Sequence, residues 1–370
     1  MGANVLLLGP EEPLVRSQHS GVFGSHYDSG RITRTLDPDS YCVNISKASI
    51  NRYQEIEELS GIRFYENVGH LTVGNASNYL DRLTIAAEEK NIKFQTLNVT
   101  ELKNLFPYLT FNNSASGIHE SLTGGYLNPR ALIKAQNKIF ELSGCQILKE
   151  TAIRIEQKEN SCQILTENKI HIRSKKTILT TGAFINQLLP NNKILDIDVH
   201  GTTTLLGEVN ENTSHQLRGM PSIIFKEGPD SKEGVYILPP IRYPDNKIYV
   251  KIGQSESQKI LTSSSDLVKW FQSDGDQKVG NSLLEKLSSV FPKVNFLSTK
   301  TESCAVSKTS TGRQFIDRLE KTDFYILAAG NGYAAKSSDE LGRMAAHKLM
   351  FGKLPREYYG IDLRAIFKNI

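Results

Sequence analysis

Near the end of the chain, a continuous apolar run leads directly into a glycine turn and then into a helix. Residues 324–329 are apolar without interruption, Gly330, Asn331 and Gly332 follow, and residues 337–340 supply the serines and acids typical of a first helical turn. An unbroken apolar run of this length is typical of a strand that is buried on both faces, as in a parallel sheet. This order of elements strongly limits the folds that the chain can adopt.

Two further apolar runs have the same form. Residues 5–8 end at Gly9, and residues 176–183 end in small residues around Gly182. Ligands bind at the carboxyl ends of parallel strands, where glycine lets backbone N–H groups approach a phosphate or a flat ring. A single glycine turn of this kind more often serves packing. Together, however, the runs predict an α/β fold with a nucleotide-binding sheet.

Helices and antiparallel strands are predicted between these runs. Gly61 ends one amphipathic helix, and Asn128 followed by Pro129 begins another, as an N-cap with proline in the first turn. Short alternating runs predict β-hairpins. The helices are predicted near residues 50–60, 80–87, 129–142, 270, 283–291 and 337–349, and the strands within residues 146–172, 202–208 and 248–252.

Composition excludes several classes of function. The 370 residues include 44 Lys and Arg against 40 Asp and Glu, without a long basic run, so nucleic acid is not an expected partner. The four cysteines are far apart, and neither a disulfide framework nor a metal site is expected. No apolar run approaches the ~18 residues of a membrane span, and no secretory signal is visible. We therefore expect a cytoplasmic protein without a membrane partner, unless a targeting segment precedes residue 1.

Three separated stretches together resemble the superfamily of FAD-dependent amine and amino-acid oxidases, and within it monomeric sarcosine oxidase. The order and spacing of these stretches match along nearly the whole chain. They are Gly24-Ser25-His26 with Arg31-Ile32-Thr33-Arg34, Cys304-Ala305-Val306-Ser307-Lys308-Thr309 with Phe315-Ile316-Asp317, and Leu327-Ala328-Ala329-Gly330-Asn331-Gly332 with Lys336-Ser337-Ser338.

The resemblance implies two lobes. A Rossmann-like FAD lobe would consist of residues 1–75, 125–195 and 300–370, and an antiparallel-sheet substrate lobe of residues 76–124 and 196–299. It also implies oxidation of the C–N bond of a small secondary amine or amino acid. FAD would accept the electrons and pass them to dioxygen, giving hydrogen peroxide, or to another acceptor.

The resemblance also assigns roles to four cationic residues. Arg34 matches the arginine that holds the substrate carboxylate in a guanidinium fork, and Arg31 matches a neighbouring active-site arginine. Lys336 is near a lysine that helps to bind the carboxylate, and Lys251 matches a lysine beside the flavin that can stabilise charge as oxygen reacts. The alternatives are solvated loop arginines, an ordinary lysine of a first helical turn, and an edge-strand lysine that points to water.

For the cofactor, Cys304 matches the cysteine that several members link covalently to the flavin. A small buried thiol without a function is the alternative. Ser25, His26 and Gly182 fall in segments that the resemblance places beside the flavin, and residues 330–332 mark the flavin-contacting turn. A role of His26 in ordering its loop is equally compatible with the sequence, because Tyr27 replaces the next family histidine. Val306 replaces the family's active-site tyrosine, so the substrate of the family members cannot be assigned to this chain.

At its start the chain departs from the family pattern. Members open with a strand, a GxGxxG turn and a helix before the strand that residues 5–8 match, and Gly9 stands where an acidic ribose ligand is expected. We therefore expect an FAD lobe that lacks its central strand. Glu11 and Glu12 follow Gly9 and could substitute for the missing acid, but the sequence does not favour this substitution. Two alternatives stay open: a non-catalytic relative that does not hold FAD, and a dehydrogenase of the same fold.

Overall fold

The computed structural model describes residues 4–75, 78–190, 193–226, 234–254 and 259–368. Helices and strands are numbered in chain order. The helices are α1 Ser40–Ile50, α2 Tyr53–Ser60, α3 Asn78–Glu89, α4 Val99–Leu105, α5 Pro129–Leu142, α6 Glu211–Gln216, α7 Ser264–Gln272, α8 Gln277–Val290 and α9 Ser338–Phe351. The first ten strands are β1 Leu6–Leu8, β2 Arg31–Thr33, β3 Tyr65–Glu66, β4 His70–Asn75, β5 Gln95–Leu97, β6 Ala115–Glu120, β7 Gly125–Leu127, β8 Gln146–Leu148, β9 Ala152–Lys158 and β10 Ser161–Thr166. The others are β11 His171–Ser174, β12 Thr177–Leu179, β13 Ile197–Val209, β14 Ser222–Lys226, β15 Gly234–Arg242, β16 Ile248–Gln254, β17 Lys259–Leu261, β18 Thr299–Thr309, β19 Phe315–Arg318 and β20 Phe324–Ala328.

A mostly antiparallel sheet forms the largest layer. Its strand order is β17-β13-β16-β15-β14-β4-β6-β5, and β18 also pairs with β13. The pairing of β14 with β4 is parallel, and the other pairings in this sheet are antiparallel. One face of the sheet packs against α8 through Leu283 and Leu287, which join Val250 and Ile252 of β16 in one apolar core. The opposite face packs partly against β2 and β7, where Leu206 and Leu238 join Ile32 and Tyr126 in a smaller apolar core.

Smaller sheets carry the other parallel pairs. β12 lies parallel to β20, which pairs antiparallel with β19, and β1 lies parallel to β8. The carboxyl end of β20 passes into the turn at residues 329–332 and then into α9. This mixture of parallel strands, helices and a large antiparallel sheet confirms the predicted α/β fold class. The residue boundaries proposed for the two lobes stay a prediction.

The expected burial of residues 5–8 on both faces is wrong. Val5, Leu6 and Leu7 are 43, 40 and 39% exposed. β1 pairs only with β8 among the described residues, so one edge and much of its surface face solvent. Leu8 alone packs against the neighbouring apolar core. A continuous apolar run predicts a strand, but it does not determine how many neighbours cover that strand.

Local signals placed the predicted helices correctly. Gly61 ends α2 in the left-handed conformation at φ 68°, and the Asn128 side chain accepts from Ala131 N at the start of α5. The serine cap expected for α9 is wrong in detail, because Ser337 makes no side-chain capping bond and Ser49 Oγ instead accepts from Glu340 N at 3.0 Å.

Within the described part of the chain, every helix is too short or too polar to span a bilayer.

A buried carboxylate ties the segment after β2 to the large sheet. Glu120, at the end of β6, is fully buried and accepts hydrogen bonds from Thr35 N at 2.9 Å and Leu36 N at 3.0 Å. The hydroxyl groups of Thr35 and Thr123 also donate to it. Backbone N–H groups that are buried need such acceptors. Glu120 therefore fixes the backbone immediately after Arg34.

We expect Glu120→Gln to lower the free energy of unfolding by about 3 kcal/mol, because the new amide N–H groups would face donors that the carboxylate now satisfies. Chemical denaturation followed by circular dichroism measures the change. The matched control is Glu89→Gln, at the exposed end of α3, which should stay within about 0.5 kcal/mol of the wild type. Equal stability of the two variants would contradict this role of Glu120.

Candidate functional site

The face of the large sheet that does not pack against α8 meets β2 and the turn after β20 around one cavity of about 270 Å³. This volume is close to the lower limit for small-molecule sites. The lining combines cationic, hydroxyl and apolar side chains and contains no carboxylate among the described residues. The lining residues are Arg31, Ile32, Arg34, Tyr79, Thr202, Thr203, Thr204, Ile224, Lys226, Tyr236, Gln254, Cys304, Val306, Lys308, Asn331, Gly332, Tyr333, Ala335 and Lys336.

Arg34 lies in the wall of this cavity and is only 8% exposed. Its Nη2 donates to Asp37 Oδ2 at 3.2 Å. Its Nη1 is buried and has no hydrogen-bond partner among the described residues. The alternative of a solvated loop arginine is therefore wrong for Arg34. A buried guanidinium nitrogen without a partner is the group that an anionic ligand would satisfy.

A second cation, Lys336, lies beside Arg34. It belongs to the short 3-10 turn Ala335–Ser337 before α9, and it is 3% exposed. Its position is fixed through the backbone, because Tyr53 Oη donates to Lys336 O at 2.6 Å. Burial, and then the nearby Arg34 guanidinium, lower the pKa of Lys336. Two buried cations at one wall repel each other and are costly to bury, and a bound carboxylate would reduce that cost.

Lys251 lies behind the wall of the cavity. It is 1% exposed on the interior strand β16, so the alternative of an edge-strand lysine that points to water is wrong. Its Nζ donates to Asp28 Oδ2 and, at 3.2 Å, to Gly30 O. It also lies 5.7 Å from the ring centroid of Tyr236, which lines the cavity. Burial, and then the Arg31 guanidinium, lower the pKa of Lys251 to about 8.

Cys304 and the glycine turn lie on adjacent walls. Cys304 is on β18, half-buried, and accepts from Arg31 Nη2 at 3.6 Å. The turn is fixed to the same strand, because Asn331 N donates to Ser307 O at 2.9 Å and Thr309 N donates to Asn331 Oδ1 at 3.0 Å. Asn331 and Gly332 adopt left-handed conformations, with φ of 50° and 83°. The structure thus brings the thiol and this turn to one cavity.

Several residues selected from the sequence do not line the cavity. Ser25 Oγ donates to Ala305 O at 2.8 Å, and His26 packs edge-on against Tyr27 with ring centroids 4.6 Å apart. Burial is the main cause of a lowered pKa of His26. Gly182 begins a separate 3-10 turn, and Gly330 lies one residue before the lining segment. Cofactor contacts of these four residues stay predictions.

The two acids near the start of the chain have other partners. Glu12 accepts from Arg130 Nε at 2.8 Å, and Glu11 Oε1 lies 2.6 Å from Lys149 Nζ. Both carboxylates therefore form ion pairs with neighbouring elements. Their substitution for a ribose ligand would require these pairs to break.

Sequence reasoning missed Asp28, Tyr79 and Tyr236. Tyr79 on α3 and Tyr236 on β15 lie far from the recognised stretches, and no local pattern marks them. Asp28 lies between the two parts of the first recognised stretch, and the sequence contains a feature that could have identified it. A buried active-site arginine needs a carboxylate partner, and Asp28 is the nearest acid in the sequence to Arg31.

A larger groove of about 720 Å³ lies between α7, α8, β18 and residues 14–17. Its lining includes Arg16, Phe271, Asn281 and Thr301. None of the site residues selected from the sequence lines it among the described residues. Its size alone is therefore a weaker argument than the convergence of cations, thiol and glycine turn on the smaller cavity.

Residues 2–348 match the family described as FAD dependent oxidoreductase, so the chain belongs to that family. Among curated proteins, the N-methyl-L-tryptophan oxidase of Yersinia pestis (strain Pestoides F) is 21% identical over 353 residues, which cover 93% of this chain and 88% of that protein. Among solved structures, the open form of NikD, described as an unusual amino acid oxidase essential for nikkomycin biosynthesis, has a TM-score of 0.78 at 15% identity and covers 98% of this chain and 92% of its own. L-proline dehydrogenase from P. horikoshii has a TM-score of 0.73 at 16% identity and covers 96% of each chain. These structural similarities confirm the fold.

The cavity fits part of an FAD molecule. Residues 331 and 332, with positive φ, line the cavity, as do Cys304 and Arg34, whose buried Nη1 has no partner among the described residues. If the turn and Cys304 held the flavin of FAD, Arg34 and Lys336 would be left for a second, anionic ligand. The cofactor that family membership requires is therefore compatible with the residues present at this site.

The lowered pKa of Lys251 should appear in the pH dependence of stability. Its folded value of about 8 lies below the ordinary value of 10.5, so the unfolded chain binds more protons between these values and stability rises with pH. We expect the stability difference between wild type and Lys251→Met to increase by about 3 kcal/mol from pH 7.5 to 10.5. Urea unfolding at a series of pH values measures it. The exposed control Lys93→Met should show no such slope, and a constant difference for Lys251→Met would contradict the lowered pKa.

Proposed function

We propose that the chain oxidises the C–N bond of a small secondary amine or amino acid that carries a carboxylate, with FAD as cofactor and dioxygen as final electron acceptor. The observation that carries this proposal is the buried Arg34, whose Nη1 has no hydrogen-bond partner among the described residues, in the wall of a cavity that Lys336 and Cys304 also line. The names of the similar proteins support the substrate class, because each refers to an amino acid or to an N-methyl derivative of one.

The chain's own residues would bind and orient the substrate. Arg34 and Lys336 would hold the carboxylate, and Asp37 would keep the guanidinium in place through its bond to Nη2. Ile224 and Val306 would give the side chain of the substrate an apolar surface. The redox chemistry that FAD supplies when bound is removal of two electrons and two protons from the C–H and N–H groups, which leaves an imine for hydrolysis and gives hydrogen peroxide from dioxygen.

Cys304 is our candidate for a covalent link to the flavin. Its sulfur is in the cavity wall, and Arg31 Nη2 holds it from one side. Formation of a thioether from a thiol and a flavin C–H group releases two electrons and two protons, which dioxygen can accept. Such a link would retain the cofactor independently of its non-covalent contacts.

A dehydrogenase is the second candidate, and one contact favours it. Asp28 offsets the charge of Lys251, the cation that would stabilise negative charge as dioxygen is reduced. One of the similar structures is described as an L-proline dehydrogenase. Rapid turnover with an artificial dye, without peroxide formation, would select this candidate over the oxidase.

The carboxylate role of Arg34 predicts a specific loss. In Arg34→Met, kcat/KM for an N-methyl amino acid should fall at least thirtyfold, because truncation of one partner in a buried charge pair costs about 2–5 kcal/mol. The preference over the matching amine without a carboxylate should also disappear. Flavin absorbance must be retained, and the exposed control Arg63→Met should behave like the wild type. An unchanged preference in Arg34→Met would exclude the role.

The flavin link predicts an absorbance result. The wild type should show a flavin spectrum that stays with the protein after acid precipitation, whereas Cys304→Ser should release its flavin to the supernatant. Cys162→Ser is the matched control. It changes a fully buried cysteine that does not line the cavity, and this variant should retain the linked flavin. Release from the wild type would exclude a covalent link, and a colourless wild type would favour the non-catalytic alternative.

A further inference from the structure

Asp28 is a buried carboxylate that five donors surround. Oδ1 accepts from Ser29 N at 2.7 Å, Gly30 N at 3.4 Å and Tyr243 Oη at 3.0 Å. Oδ2 accepts from Lys251 Nζ and pairs with Arg31 Nη1. The residue is 6% exposed. These contacts join the first recognised stretch to β16 and to Tyr243, which directly follows β15, through one side chain.

The cluster continues into the cavity wall. Arg31 lines the cavity and reaches Cys304 Sγ at 3.6 Å, so its guanidinium connects Asp28 to the thiol. Lys251 connects Asp28 to Tyr236, another lining residue. Two cations and one carboxylate leave one net positive charge at this wall. Packing alone does not require this arrangement, because buried ion pairs are often no more stabilising than apolar residues.

We propose that Asp28 is a positioning residue: it fixes the Arg31 guanidinium and the Lys251 ammonium at the cavity wall and limits the charge that they present to a bound flavin. The proposal rests on the proposed function, because it requires FAD in this cavity. A positive charge beside a redox group favours the entry of electrons, and a carboxylate opposes it. Asp28 would thus set the reduction potential of the flavin through its two partners.

Charge substitutions in the FAD-bound protein test this directly, with the flavin midpoint potential as the measurement. We expect Asp28→Asn to favour reduction at least tenfold, a shift of about 30 mV to more positive values. Lys251→Met should shift the potential by a similar amount in the opposite direction. The double variant restores the net charge and should lie close to the wild type.

Two comparisons make the result decisive. Asp198→Asn makes the same charge change at an exposed ion pair with Lys368 and should leave the potential unchanged. An Asp28→Asn potential equal to that of this control overturns the proposal, as do equal shifts of both single variants in one direction. If Asp28→Asn does not fold, the double variant is compared with Lys251→Met, and equal potentials of these two variants overturn the proposal.

Asp28→Glu separates position from charge. It keeps the carboxylate but moves it by one methylene group, so the potential should stay near that of the wild type while kcat falls about tenfold through displacement of Arg31 and Lys251. An unchanged kcat would exclude positioning. Lower kcat together with the potential of Asp28→Asn would show that the longer side chain no longer reaches its partners, and this result would support the same contact.

A measurement without flavin separates failure of this inference from failure of the proposed function. In apo protein, Asp28→Asn and Lys251→Met should each lower the folding equilibrium constant at least a hundredfold, because each leaves a buried charge without its partner. The folding equilibrium constant of the double variant should fall by a much smaller factor than the product of the two single-variant factors. Additive losses would show that Asp28 and Lys251 are not coupled, whether or not FAD binds.

Discussion

Arg34, Arg31 and Lys251 are cations largely removed from water, and each is held by a carboxylate that is itself buried. Asp37 pairs with Arg34, and Asp28 pairs with both of the others. Removal of an ion from water costs several kcal/mol. Cations at a cavity wall therefore need carboxylate partners in the layer of residues behind them. The arrangement leaves part of their charge directed toward the cavity. An anionic substrate and an electron-accepting cofactor are the ligands that such a wall favours.

The large sheet provides the rigid support for this arrangement. β13 and β18 pair over eleven positions, from Ile197 with Thr309 to Gly207 with Thr299. Cys304 therefore has a fixed place, and the bonds from Asn331 to Ser307 and Thr309 fix the glycine turn against the same strand. Elements that are far apart in sequence thus present a thiol, a turn and a cation at distances determined by sheet geometry. Sites of this kind are more precise than sites built on loops alone.

Much of the site could be predicted from the sequence, for a limited reason. Arg31, Arg34, Cys304, Asn331, Gly332 and Lys336 all line the cavity, and each lies in a stretch with a recognisable order of residues. The sequence could not predict Tyr79 or Tyr236, because α3 and β15 reach the cavity only through pairing of distant strands. The burial expected for residues 5–8 failed for a related reason, since burial depends on neighbours that a local run does not specify.

The sequence by itself determined the fold class, the caps of α2 and α5, and the family to which the chain belongs, because these depend on local periodicity, capping residues and spaced motifs. Only the tertiary structure decided which of these residues share a cavity. It showed that Lys251 is buried on an interior strand and paired with Asp28. The physical reason is that burial, charge compensation and distance are properties of chain segments packed together, and side-chain hydrogen bonds between residues more than 200 positions apart established them here.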